Sequence, residues 1–127
     1  MNIRNTVNEI ESIVKNGSKE IILSGINIGD FGFRQGEDFS ALLENIERIE
    51  GLDRYRISSI EPNLLTREIL KIISKSEKAM PHLHIPMQSG SDKILKLMQR
   101  RYTSLDYVNV IDEVRSYLPD ACIGVDV

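Results

Sequence analysis

Apolar residues recur along this chain in two alternating rhythms, one with the spacing of helices and one with that of short buried strands. Val7, Ile10, Ile13 and Val14 fall on one helical face that Gly17 ends, and Thr6 with Glu9 has capping-box spacing at its start. The segment EIILS, residues 20–24, reads as a buried strand. A second helix starts at Asp38 or Ser40, with Phe39, Leu42, Leu43, Ile46 and Ile49 as one stripe ending before Gly51. A strand follows at 55–60. Thr66 opens a third helix with Ile69, Leu70, Ile72 and Ile73 inward, and 80–85 makes the next strand. The helix after Ser91 buries Ile94, Leu95 and Met98. The last, from Ser104, uses Leu105, Val108, Ile111, Val114 and Leu118, and 121–127 closes the chain as a strand.

Strands separated by helices, repeated in this way, call for parallel pairing through right-handed crossovers. The fold class is α/β, a partial parallel (β/α) barrel with helices outside and about four to five strands. Four strands are too few for a closed eight-stranded barrel. The last one also ends without a helix to cover it, which is unusual for a parallel edge. The chain, residues 1–127, therefore reads as the central part of a larger barrel, with open sheet edges through which it could self-associate.

The composition narrows the class of protein. A chain of 127 residues with 41% hydrophobic and 28% charged residues suits one folded domain. No apolar run approaches the roughly 20 residues that span a bilayer, and the N-terminus lacks a signal-peptide core, so a cytoplasmic, non-membrane protein is expected. Cys122 is the one cysteine, which excludes an internal disulfide framework. A net charge of −3 argues against an autonomous nucleic-acid binder.

The chemistry concentrates at the strand ends. The run HLHIPMQSGSDKILKLMQRRYT, 82–103, passes from strand to polar turn to helix, and it gathers His84, Gln88, Ser89, Gly90, Ser91 and Asp92. Ser24, Asn27 and Asp30 follow the first strand, Ser58, Ser59, Glu61 and Asn63 the second, and Asp126 lies in the fourth. Such clustering is what a mouth-of-barrel site requires. Each residue also has a plainer reading. Gly25, Gly29, Gly32 and Gly36 suit an ordinary flexible loop as well as a ligand-lining one. His82 and His84 share a strand face and could pair on a metal; Gln88, of the same parity in an extended chain, favours a polar row instead. Cys122, in an apolar strand, is expected to be buried and inert. Glu61 precedes Pro62 and projects from its strand end, either towards a ribose hydroxyl or amino group or into solvent. Thr66, Ser91 and Ser104 are expected as helix caps, and Arg100-Arg101 either caps a helix C-terminus or touches a phosphate.

The series His84-Ile85-Pro86, Gln88-Ser89-Gly90-Ser91, Arg100-Arg101 and Tyr102-Thr103 resembles the radical S-adenosylmethionine methylthiotransferases. SGINIGDFG, 24–32, looks like that family's second-strand loop. RISSIEP, 56–62, is similar to the subgroup acting on threonylcarbamoyl-adenosine in tRNA. The resemblance implies a methylthio transfer to C2 of that nucleoside, with S-adenosylmethionine and 4Fe-4S clusters as cofactors and tRNA as partner of the full-length protein. It further implies that the cluster loop, an N-terminal methylthiotransferase domain and a C-terminal RNA-binding domain lie outside this chain, which alone would bind no cofactor and be inactive. Gly25 and Asn27 would support the methionyl end, Ser58, Ser59 and Glu61 the polar surroundings, and Gln88 and Ser89 the ribose region, with His84 and Asp126 completing the cofactor-binding set. The alternatives are the isopentenyladenosine or ribosomal-protein branch, or a non-catalytic α/β scaffold that binds a partner chain.

Overall fold

Helix starts in the computed structural model, which describes residues 1–127, are set by local side-chain caps. Asn2 accepts the Asn5 backbone N–H at 2.8 Å, so α1 (Ile3–Lys15) begins earlier than a Thr6 cap would place it. Thr6 instead returns its hydroxyl to the Asn2 carbonyl. Asp38 caps α2 (Phe39–Glu47), and its carboxyl is held below the usual range by the Ser40 hydroxyl and then by the Ala41 N–H. Thr66 caps α3 (Arg67–Lys75) and Ser91 caps α4 (Asp92–Leu97). The cap of α5 (Ser104–Tyr117) is Thr103 rather than Ser104: Thr103 and Asp106 each accept the other's backbone N–H, forming a capping box.

The strands are short: β1 (Glu20–Leu23), β2 (Arg54–Ile57), β3 (His82–His84) and β4 (Cys122–Gly124). β1 pairs parallel with β2 in the register Glu20↔Arg54, and β3 with β4 in the register His82↔Cys122. The two pairs are joined by parallel bridges at Tyr55↔Ala79 and Ser59↔His84. From one bridge to the other the chain advances four residues on the β2 side and five on the β3 side. The extra residue is taken up at Pro81, where the His82 N–H turns back to the Met80 carbonyl at 2.7 Å, and the ladder breaks as it does at a bulge. Pro81 has no N–H to lose there.

Strand order thus follows chain order, all parallel, and the helices touch in sequence as well, α1 on α2, α2 on α3 and α3 on α5. A doubly wound sheet would place its helices on two faces and permute its strands. This is one wall of a singly wound barrel, as expected from the sequence. Ile21, Leu23, Tyr55, Ile57, Leu83 and Ile85 face the helices and are buried. The alternate positions Ile22, Arg54, Arg56, His82 and Cys122 are exposed on the helix-free face, where Glu20 pairs with Arg54 and Arg56 at 3.1 and 2.9 Å.

The core bears out the stripes of α2 and α3, since Phe39, Leu42, Leu43, Ile46, Ile69, Leu70 and Ile73 are all buried. The stripes of the last two helices are borne out only in part. Leu95 is buried, but Ile94 and Met98 are exposed, as are Leu105 and Val108. Val114 of the expected stripe is buried, with Ile111 and Leu118 packed against the core, while Tyr107 turns inward in place of Leu105 and Val108, its hydroxyl donating to the Ile85 carbonyl at 2.7 Å. That bond ties α5 to the chain just after β3. Cys122 is a second correction: it is exposed, because strand alternation points Ala121 and Ile123 towards the helices and Cys122 away.

Candidate functional site

The C-terminal ends of the four strands carry three groups of side chains. In the first, Ser59, His84 and Asp126 run across β2, β3 and β4. The Ser59 hydroxyl lies 2.6 Å from His84 Nδ1, and His84 Nε2 lies 3.2 Å from an Asp126 carboxylate oxygen. With a neutral ring both contacts are satisfied when the hydroxyl donates to Nδ1 and Nε2–H donates to Asp126. Gly124 makes room for this row. A Cβ there would meet His84 Cδ2 at 3.2 Å, so the ring packs over a position that a side chain would crowd. His82 lies two residues back on the same face, and no group of three metal-ligating side chains forms around it.

The second group is the turn after β3. Met87 and Gln88 both donate backbone N–H groups to the Asp126 carbonyl, at 3.1 and 2.9 Å. Gln88 is therefore held to β4, but at φ 67, in the left-handed region. It does not continue the strand parity of His84. A non-glycine residue kept there costs free energy, on the order of 1 kcal/mol, and such strain collects at functional positions. Ser89 accepts the Ser91 N–H at 3.0 Å, which leaves its own hydroxyl proton to donate. Gly90 has only the Met87 methyl near a would-be Cβ, at 3.6 Å, so sterics do not demand glycine at this point.

The third group joins the loops after β1 and β2. Glu61 is not a solvated turn residue: its side chain is 18% exposed and accepts from Arg100 at 3.4 Å, with Arg101 3.7 Å away. Arg101 also reaches Asp30 at 3.2 Å. The arginine pair is thus neither a helix cap nor a free phosphate contact. The cap of α4 is instead made by backbone, with the Arg100 N–H returning to the Leu95 carbonyl and the Gln99 N–H to that of Lys96. Asn27, at φ 55, starts a short 3-10 turn, Ile28–Asp30, and lines with Ser24, Gly25 and Arg101 an open cleft of about 680 Å³. Gly25 has empty space where a Cβ would stand, whereas Gly29 is pressed against Leu64. Ser58 extends the ladder by donating its N–H to the Leu23 carbonyl.

The structure therefore brings Ser59, His84, Gln88 and Asp126 into one cluster and places Glu61 in a neighbouring ionic one, with Gly25 and Asn27 on the adjoining cleft. Sequence reasoning missed Gly124, Tyr102 and the acid partners of the arginines. Tyr102 is buried, and its hydroxyl reaches the carbonyls of Pro86 and Met87 at 3.3 and 3.1 Å. Burial raises the pKa of its phenol. The RRYT sequence was the available signal for these contacts.

The model of the radical SAM superfamily matches residues 1–127. A tRNA-2-methylthio-N(6)-dimethylallyladenosine synthase of Endomicrobium trichonymphae is 39% identical over 127 residues, covering 100% of this chain and 30% of the relative. A threonylcarbamoyladenosine tRNA methylthiotransferase of Thermotoga maritima is 40% identical over 119 residues, 94% of this chain and 27% of the relative. A further dimethylallyladenosine synthase, of Natranaerobius thermophilus, is 39% identical over 121 residues, 94% and 27%. The chain spans under a third of the length of these curated relatives.

Proposed function

The chain belongs to the radical SAM superfamily, and on that premise we propose that it forms the cofactor-facing mouth of a tRNA methylthiotransferase. The observation that carries this reading is the convergence of Gln88, Ser59, His84 and Asp126 at the ends of three adjacent parallel strands. Relatives named for tRNA methylthiotransfer match this stretch throughout.

The superfamily's chemistry uses a 4Fe-4S cluster and S-adenosylmethionine. A cluster held by three cysteines does not fit the residues present, because Cys122 is the chain's one cysteine and sits in β4. S-adenosylmethionine does fit the donor set. When bound, it supplies the sulfonium whose cleavage starts the radical chemistry. On this reading Gln88, its backbone fixed by Asp126, offers its carboxamide to ribose hydroxyls, and Ser89 donates its hydroxyl beside it. Gly25 and Asn27 border the methionyl end, where absent or small side chains let backbone approach. Ser58 and the row Ser59–His84–Asp126 form the polar wall, and Glu61, paired with two arginines, holds its own turn in place. The protein's part is to bind and orient.

Relatives of both substrate names match at nearly equal identity, so the substrate class we infer is a tRNA adenosine that already carries a bulky substituent. RISSIEP, 56–62, favours threonylcarbamoyl-adenosine among these. The test is to produce the full-length protein in a host lacking its own tRNA methylthiotransferases and to analyse tRNA nucleosides by mass spectrometry. A methylthio group is expected on threonylcarbamoyl-adenosine. Its appearance on dimethylallyl-adenosine instead would overturn the finer assignment, and unchanged tRNA would overturn the whole reading.

A further inference from the structure

One three-residue segment, 100–102, touches the loops that follow three different strands. Arg101 reaches Asp30 in the loop after β1 at 3.2 Å, and Arg100 reaches Glu61 in the turn after β2 at 3.4 Å, with Arg101 3.7 Å from the same carboxylate. Tyr102 donates to the Pro86 and Met87 carbonyls in the turn after β3. These contacts span sequence separations from 15 to 71 residues. No other segment makes side-chain hydrogen bonds or ion pairs to all three loops. Two guanidiniums face two carboxylates, so the cluster is neutral as a unit, and Glu61, its most buried member, has its charge matched by both arginines.

We propose that residues 100–102 are a positioning staple: they set the relative placement of the three strand-end loops that make the mouth, Arg101 doing so from the wall of the cleft itself. The assignment rests on reading that mouth as the cofactor site only for its consequence in turnover; the staple itself is a property of the loops. Tyr102 is the buried, permanent leg. Arg101 is the adjustable one, with a side chain 55% exposed and two carboxylates sharing it. Water and salt reach it, so its hold on Asp30 weakens as ionic strength rises. The Arg100 side chain completes the joint through Glu61. Its Nε is buried without a hydrogen-bond partner, and the Glu61 contact compensates the guanidinium charge through a different nitrogen, Nη1.

The experiment is a double-mutant cycle in the full-length protein with Asp30→Asn, Arg101→Gln and both together, read by amide hydrogen exchange before any cofactor is added. Each single substitution should speed exchange in residues 24–36 about fivefold, the loss of one partly exposed pair, while α2 and α3 keep their protection. The double variant should be no faster than the faster single one, since the contact is already gone. In the loaded enzyme the same variants should raise KM for S-adenosylmethionine about as much and leave kcat nearly unchanged, a split that general destabilisation does not produce. Unchanged exchange in 24–36, additive effects, or acceleration spread evenly over the chain would each overturn the staple. Failure of the nucleoside assay above leaves the exchange prediction standing, so the two readings fail separately.

Discussion

Gln88 and Gln99 both lie at positive φ, 67 and 56, yet the two positions carry different consequences. Gln99 ends α4 at the point where a glycine is usual, and nothing in the structure holds its side chain. Replacing it with glycine should stabilise the protein by about 0.5–1 kcal/mol, the left-handed cost less the entropy of glycine, readable as a higher thermal midpoint. Gln88→Gly should show the same gain in stability but lose S-adenosylmethionine affinity, because the carboxamide goes with the strain. Equal affinity in wild type and Gln88→Gly would remove Gln88 from the site. Neither φ was legible in the sequence. A glutamine says nothing of its backbone until the Asp126 carbonyl, on another strand, captures the N–H.

Among the elements, legibility followed the range of the forces that make them. Asp38, Thr66 and Ser91 act within three residues of themselves, so their helix starts could be read directly. The stripes of α2 and α3 were also legible, since each helix has one apolar face and one place to bury it. α5 has apolar residues on more than one side: Val114 of the expected stripe is buried, whereas Tyr107, bonded to the Ile85 carbonyl, packs inward where Leu105 and Val108 do not. Two truncations separate these cases. Leu70→Ala, at a fully buried position of α3, should cost about 2–5 kcal/mol in a denaturant titration. Leu105→Ala, 67% exposed on α5, should stay within about 0.5 kcal/mol of wild type. A large loss at Leu105 would mean that this end of the expected stripe is buried too.

At the scale of the whole molecule, the helix-free face of the sheet is where the sequence reading and the structure part most clearly. Cys122 was expected to be a buried thiol, but the strand's alternation leaves it open beside His82. In the folded 127-residue chain it should react with a thiol reagent as fast as in urea. A reaction that waits for denaturant would show that the face is covered. The parallel, sequential architecture was legible because helical and strand periodicities alternate and because short crossovers admit few topologies. The strand-end location of the polar residues was legible for the same reason. What only the tertiary structure decided are the partners: Glu61 with arginines 39 and 40 residues away, Arg101 with Asp30, and His84 between Ser59 and Asp126 over Gly124. Caps and periodicity are set by neighbours in the chain, which a sequence lists in order. Ion pairs and ring contacts depend on which strand ends the closed wall brings within 3–4 Å, and that distance exists only once the wall has formed.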